Sequence, residues 1–277
     1  SIIAGSGYGS GGYQAFRWTE ATGASSIGSL TGFSGSSQAS GMSADGSVIV
    51  GFSSSVPGNQ AFRWTAAGMV GLGDLADGGY ASSAEAVTPD GNVITGFGTS
   101  LNSYGNSRRE AFRWTAAGGM VGLGALAPLA GESIGHGISA DGGVIVGEAT
   151  DVSGFFQAFR WNAGEGMVGL GHLDGDNRSV ARAASADGSI IIGQSLGGFG
   201  YGRAFIWTQD AGMRTLASVL IAAGIDIPVG MNDATVISPD GRYIAGYGSS
   251  GGGWQGWVVD MAVVPVPATA WLLPTAF

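Results

Sequence analysis

The sequence predicts an all-β fold, a β-propeller of four-stranded repeats, and three recurrent motifs carry that expectation. The hexapeptide QAFRWT at 14–19 returns as QAFRWT at 60–65, EAFRWT at 110–115, QAFRWN at 157–162 and RAFIWT at 203–208. A tetrapeptide of the form Ser/Thr-x-Asp-Gly runs in phase with it, at 43–46, 88–91, 139–142, 185–188 and 238–241. The octapeptide GMVGLGDL at 68–75 has relatives at 119–126 and 166–173. Aligned on Phe16, Phe62, Phe112, Phe159 and Phe205, with Trp257 in the sixth place, the spacings are 46, 50, 47, 46 and 52 residues. That is the period of a propeller blade; the coils of the competing open β-solenoid are shorter and need no hairpin-linked quartet.

Each repeat reads as four segments. In the second unit Ser47–Gly51 is a β-branched apolar run of the kind buried on both faces. Gln60–Thr65 alternates, placing Gln60, Phe62 and Trp64 on one face and Ala61, Arg63 and Thr65 on the other. Met69–Leu75 is a third, glycine-broken strand, and Ser82–Thr88 a fourth that meets the next apolar pentad through an Asp-Gly turn. Counting segments gives 22 strands, two short of six complete blades. The expectation is six blades, with strands before Ser1 completing the ring; a five-bladed ring with a surplus hairpin is the alternative. Met213–Gly224 has apolar residues at helical spacing and ends in glycine, which predicts a short helix near the last repeat, covering an end of the ring. Residues 1–260 form the repeat domain, and 261–277 an extended, Pro-rich apolar tail.

Within the repeat, Phe16, Trp18, Phe62, Trp64, Phe112, Trp114, Phe159, Trp161, Phe205, Trp207 and Trp257 are the expected inter-blade filling. Ile206 and Val258 stand where other repeats hold Arg17, Arg63, Arg113 and Arg160. The arginines are therefore read as packed stems whose heads reach a blade edge or stack on the adjacent tryptophan.

Composition narrows the function. Gly is 54 of 277 residues, the net charge is −9, and all 11 basic residues are arginines. So acidic a chain lacks the basic footprint that nucleic acid demands. Zero cysteines remove disulfides, thiol catalysis and thiolate metal sites. The opening SIIAGSGYGS has no signal-peptide pattern, and no apolar run reaches the length of a membrane span. The two histidines, His136 and His172, sit at ordinary loop or edge positions, which leaves no Ser-His-Asp triad. Asp45, Asp90, Asp141, Asp187 and Asp240 recur in every unit and are read as turn builders. Glu85, Glu132, Glu148 and Asp151 break the repeat symmetry, the behaviour expected of a paired-carboxylate enzyme, but no spacing pairs them. Asp174-Gly-Asp176-Asn177 opens like a calcium loop, then departs from it at Arg178. No catalytic, cofactor-binding or metal-ligating residue is assigned. Tyr8, Tyr13, Tyr80, Tyr104, Phe155, Tyr201, Trp254 and Trp271 are the candidate interface or glycan contacts, being aromatics set among Gly and Ser.

QAFRW, GMVGLGDL and SADGSVIVG, in fixed order over residues 1 to about 260, resemble the extracellular HAF-type repeats and similar repeats of secreted and autotransporter proteins of Gram-negative bacteria. Val264–Leu273, VPVPATAWLL, resembles the start of a PEP-CTERM sorting signal, with Val266 where glutamate is usual. These resemblances imply an exported propeller of the cell surface or extracellular space, associated with a biofilm matrix. The resulting expectation is a non-enzymatic structural or interaction protein without cofactor. Its expected partners are copies of itself, joined into filaments through terminal strands or tail, and extracellular polysaccharide. A lectin-like propeller and a polysaccharide-active enzyme are the alternatives.

Overall fold

The computed structural model describes residues 1–263 except 10, 11, 33, 34, 57, 77, 130, 198–201, 228, 229, 251 and 252. The chain is a six-bladed β-propeller of antiparallel sheets, numbered here in chain order. Blade 1 holds β1 (Ile2–Gly9), β2 (Gly12–Thr19) and β3 (Gly23–Ser26). Blade 2 holds β4 (Ser37–Met42), β5 (Ile49–Ser54), β6 (Asn59–Thr65) and β7 (Gly68–Gly71). Blade 3 holds β8 (Ser82–Val87), β9 (Val93–Leu101), β10 (Ser107–Thr115) and β11 (Gly119–Gly122). Blade 4 holds β12 (Ser133–Ile138), β13 (Ile145–Thr150), β14 (Phe156–Asn162) and β15 (Gly166–Gly169). Blade 5 holds β16 (Arg178–Ala184), β17 (Ile190–Leu196), β18 (Gly202–Thr208) and β19 (Gly212–Thr215), followed by helix α1 (Leu216–Ala222). Blade 6 holds β20 (Asp233–Ile237), β21 (Tyr243–Ser250) and β22 (Gly253–Asp260), then a turn of 3₁₀ helix at Met261–Val263. The 22 strands fall as four sheets of four and two of three, so the two-strand deficit lies at the ends of the described chain. The tail beyond Val263 lies outside the described residues.

The buried residues divide into five clusters, one at each junction between successive blades. At each junction the aromatic of the later blade lies with the alanine of the earlier one: Phe62 with Ala15, Phe112 with Ala61, Phe159 with Ala111, Phe205 with Ala158 and Trp257 with Ala204. These four phenylalanines are completely buried, whereas Trp64, Trp114 and Trp161 are only half-buried. The glycine closing each apolar pentad makes room. A Cβ on Gly147 or Gly193 would lie 2.9 Å from the ring of Phe159 or Phe205, and would also run into the carbonyl of Ile134 or Val180.

Two element boundaries differ from expectation. The third strand ends at Gly71 rather than Leu75, because Leu72 and Leu75 leave the sheet to fill the junction between blades 2 and 3. Met213 to Thr215 are strand, not helix: Trp207 pairs with Met213 and Phe205 with Thr215, completing blade 5. The helix starts at Leu216, with the Thr215 hydroxyl capping it by accepting the Ser218 N–H. Its Leu216 and Leu220 are buried in the junction between blades 5 and 6. The helix thus fills a junction where the other repeats use an extended aliphatic pair, Ile27 and Leu30 in blade 1 and two leucines in blades 2 to 4.

Candidate functional site

Strand order sorts the loops onto two rims. The turns after the first and third strands of each blade share one rim; the hairpin tips and the crossings to the next blade share the other.

The turn rim is uniform. In the first Asp-Gly turn the Ser43 hydroxyl donates to Asp45 Oδ1 and accepts the Val48 N–H, while Asp45 Oδ1 also accepts the Ser47 N–H. Thr88/Asp90, Ser139/Asp141, Ser185/Asp187 and Ser238/Asp240 repeat the arrangement. All five carboxyls lie below the ordinary aspartate range, Asp45 at about 2, where the Ser47 N–H and hydroxyl and then the Ser43 hydroxyl are the cause. Neighbouring turns are also linked: Ala44 N–H donates to the Pro89 carbonyl, Ala140 to Ala186 and Ala186 to Pro239. The recurrent aspartates are turn builders.

The motif arginines serve the same rim. Arg17, Arg63 and Arg113 each reach one blade forward, and Nε donates to the carbonyl of Gly46, Gly91 or Gly142 at 3.2, 3.3 and 3.2 Å. Two parts of the expectation are corrected. Arg160 instead pairs with Glu165 at 2.8 Å, because the turn of blade 4 supplies a carboxylate where blade 2 has Ala66-Ala67. The cation–π contacts among the described residues involve Arg109 with Phe97, Arg178 with Phe156 and Arg242 with Tyr243. Within one strand the motif arginine and tryptophan lie on opposite faces, as Arg63 and Trp64 do.

The loop rim is variable and carries the candidate aromatics. Tyr8 and Tyr13 meet edge to face at 5.0 Å, and Tyr247 and Trp254 at 5.6 Å. Tyr80, Tyr104 and Phe155 are exposed on loops of blades 2, 3 and 4. Tyr201 and Trp271 lie outside the described residues. The structure therefore gathers these residues into two pairs and leaves the others on separate blades.

The inner strands are where regular geometry meets divergent chemistry. The first strand of each of blades 2 to 6 slips register by one residue at the same place, leaving Ser40, Glu85, His136, Arg182 and Thr235 as the bulged residue. Such bulges re-aim side chains. From blade 5, Arg182 forks onto Asp233 Oδ2 of blade 6 at 3.1 and 3.0 Å, and the Tyr247 hydroxyl donates to the same oxygen at 3.2 Å. Asp233 is 1% exposed, and its Oδ1 has no hydrogen-bond partner. Burial pushes its carboxyl above the ordinary range despite Arg182. Beside it Arg178 pairs with Glu148 at 3.0 Å, and His136 Nε2 stands 3.7 Å from Glu148 Oε1, too long for a hydrogen bond. Burial raises Glu148, but His136 and Arg178 outweigh it and hold it low. The result is a neutralised network across blades 4 to 6.

Of the symmetry-breaking carboxylates, only Glu148 belongs to this network. Glu85 accepts from Ser83, Glu132 pairs with Arg109, and Asp151 closes its own loop through the N–H groups of Ser153 and Phe155. Asp233 escaped sequence reading; its signal was a carboxylate where sister strands hold Gln38, Ser83, Ile134 and Val180. Asp176 of the calcium-like loop is ion-paired to Arg203 at 2.9 Å. Among the described residues no group of three or more His, Asp or Glu comes together to hold a metal ion. Among the described residues no helix is long and apolar enough to cross a membrane.

The ends of the propeller form a further site. The blade 1 face that bears Ile3, Phe16 and Trp18 corresponds to the face that each later blade turns toward its predecessor, yet Ile3 is 52% exposed and Phe16 only half-buried. At the other end, one face of blade 6 packs on blade 5 through Trp257 and Ile244. The opposite face presents Val236, Tyr243, Tyr247, Trp254 and Val258, all exposed, Val258 at 72%.

No protein-family model and no curated protein matches the sequence. Solved structures match the fold. TolB from Acinetobacter baumannii is 14% identical with a TM-score of 0.56; the match covers 94% of this chain and 61% of TolB, so this chain spans under two thirds of it. An oligogalacturonate lyase in complex with manganese is 13% identical with a TM-score of 0.58, covering 95% of this chain and 72% of the lyase. A puromycin-hydrolyzing peptidase of Mycobacterium tuberculosis is 13% identical with a TM-score of 0.57, covering 94% of this chain and 43% of the peptidase. Identities this low establish the propeller fold and nothing more specific. They also overturn the expectation of a non-enzymatic protein. The same fold occurs in a lyase and in peptidase chains, so a propeller with few histidines is no argument against catalysis.

Proposed function

We propose that this chain is an exported structural and interaction protein of a Gram-negative extracellular or cell-surface matrix, and that it works by associating with copies of itself. The observation that carries this reading is the apolar face of blade 6, where Val236, Tyr243, Tyr247, Trp254 and Val258 are all exposed among the described residues. The fixed order of the QAFRW, GMVGLGDL and SADG motifs supports export and a matrix setting by resemblance. Light scattering and electron microscopy of the purified chain test the reading. Mass that grows with concentration, with visible fibres or rings, is the expected result; concentration-independent monomers without fibres would sink it.

A second reading, polysaccharide binding, has its own observation in the exposed Tyr8–Tyr13 and Tyr247–Trp254 pairs, flat rings of the kind sugar faces stack on. Matrix polysaccharide retained by the wild-type chain, and lost on Tyr8→Ala with Trp254→Ala, would support it.

A further inference from the structure

We infer that the turn rim carries three clefts, one at each of the first three junctions between blades, and that each holds one neutral hexopyranose unit of a polysaccharide. This inference rests on the polysaccharide-binding reading and gives it a site on the rim opposite the aromatic pairs.

The first cleft, of about 430 Å³, lies between blades 1 and 2. Small-ligand sites occupy roughly 300–1,000 Å³. Trp64 and the exposed Ala66 and Ala67 supply its apolar walls, and Arg17, Asp45 and Thr65 its polar ones. Building the turn leaves hydrogen-bonding capacity in all three polar groups. Asp45 engages only Oδ1, which accepts from Ser43 and Ser47; its Oδ2 accepts no hydrogen bond among the described residues. Arg17 engages only Nε, on the Gly46 carbonyl, and its two terminal nitrogens donate to no group among the described residues. The Thr65 hydroxyl accepts the Ala67 N–H at 3.3 Å and keeps its own hydrogen to donate. A carboxylate oxygen and a guanidinium in one cleft suit adjacent sugar hydroxyls, one donating and one accepting. The indole face attracts the electropositive C–H face of a pyranose ring. A neutral sugar fits better than a uronate. Asp45, held at about 2 by the Ser47 and Ser43 donors, stays ionised at neutral pH, and the chain carries a net charge of −9, so a sugar carboxylate would be repelled.

The same set stands at the next two junctions, wholly inside the ring. Arg63 and Arg113 bond the Gly91 and Gly142 carbonyls through Nε alone. Trp114 and Trp161 are half-buried at those junctions, as Trp64 is at the first. Asp141 again engages only Oδ1, and at Asp90 the Asn92 side-chain amide donates to Oδ2. The set is dismantled at the other two junctions. Arg160 turns to Glu165 and Trp207 is buried at the fourth; Ile206 and Val259 replace the arginine and the tryptophan at the fifth. Three adjacent sites on one rim can hold several units of one polymer at once. A polysaccharide should therefore bind roughly 10²-fold more tightly than its monosaccharide.

Affinity electrophoresis of the full chain through gels containing dextran, galactomannan or hydroxyethylcellulose, measured against polymer-free gels, tests the inference. Retardation by at least one of these neutral polymers is expected. Ala66→Glu, Ala116→Glu and Ala163→Glu narrow the three clefts from exposed turn positions. Glu20 and Gln209 hold the equivalent place in blades 1 and 5, so the turn accepts a longer side chain. The triple variant should lose at least roughly tenfold in affinity with an unchanged circular dichroism spectrum, and each single variant should lose less. Asp45→Asn with Asp141→Asn is the second arm. It keeps the Oδ1 acceptor of each turn and replaces Oδ2 by a donor, so affinity should again fall. Retardation that survives both arms overturns these sites; if it is then lost on Tyr8→Ala with Trp254→Ala, the polysaccharide reading stands without them. Retardation confined to an acidic polymer such as alginate likewise overturns the neutral-sugar clefts alone. No retardation by any polymer overturns both the clefts and the polysaccharide reading.

Discussion

Phe62, Phe112, Phe159 and Phe205 are wholly buried, while Phe16, in the same motif, is only partly buried. The difference lies in what stands in front of each ring. An internal phenylalanine has the preceding blade's alanine and apolar pentad before it; Phe16 has no blade there among the described residues. A repeat motif therefore supplies a shape, and the neighbouring repeat decides whether that shape becomes core or surface. Repeat proteins draw their stability from such nearest-neighbour interfaces.

The largest test of the contrast is Phe112→Ala against Phe16→Ala. The internal change leaves a cavity and should cost about 3–5 kcal/mol. The end change should cost only about 1–2 kcal/mol, in proportion to the smaller area lost. Urea unfolding of the monomeric protein measures both, and equal losses would show that the blade 1 face is covered after all. Glycine comes next. Gly188 has φ +69° and a Cβ there would lie 2.5 Å from Val144 Cγ2 in the preceding blade, whereas Gly154 has φ +83° and open space. Gly188→Ala should cost about 2–4 kcal/mol, combining left-handed strain with overpacking, and Gly154→Ala about 1 kcal/mol. Comparable melting temperatures for the two would remove the turn rim from the account of junction stability.

A smaller effect concerns serine. Ser37, Ser82, Ser133 and Ser179 each accept the N–H of the preceding blade's motif alanine, Ser82 from Ala61 at 3.0 Å, and donate to a loop glycine carbonyl. Ser82→Ala should cost about 1–3 kcal/mol by leaving that buried N–H unmatched. Ser36→Ala, at an exposed hydroxyl, should leave the melting temperature nearly unchanged. Acid gives the gentlest perturbation. The five turn aspartates have folded pKa values below their unfolded ones, so their stabilisation is complete above about pH 4 and drains as pH falls toward about 2. Asp233 is shifted the other way, so its own contribution rises as pH falls toward about 4 and is constant below that, where the turn aspartates lose theirs. The melting temperature should therefore fall between about pH 4 and 2, and Asp45→Asn should make the fall shallower.

Much of this was legible in the sequence because a repeat tests itself. Ile206 and Val258 at the arginine place already said that the guanidinium is dispensable. Five copies of Ser/Thr-x-Asp-Gly already said that those aspartates make turns. What escaped were features set by contact between blades. The serine staple looked like loop composition, although Ser82 and Ser133 each stand nine residues after the glycine they bond, Gly73 and Gly124. Met213–Thr215 read as helix because apolar spacing alone cannot tell a strand that a neighbouring strand will recruit. Asp233 looked like one carboxylate among many; only the fold brings Arg182, 51 residues earlier in the chain, onto it.

The sequence by itself determined the blade: its four strands, its Asp-Gly turns, the alternation that puts Phe62 and Arg63 on opposite faces, and a count of 22 strands that cannot fill six blades. Those are local properties of periodicity and turn chemistry, written in consecutive residues. Only the tertiary structure decided which copy of each motif is buried, and that the bulged residues bring His136, Arg182 and their carboxylates into one charged network. Burial and charge pairing are properties of neighbours distant in sequence, and in a repeat protein the residues that differ in function are identical in pattern.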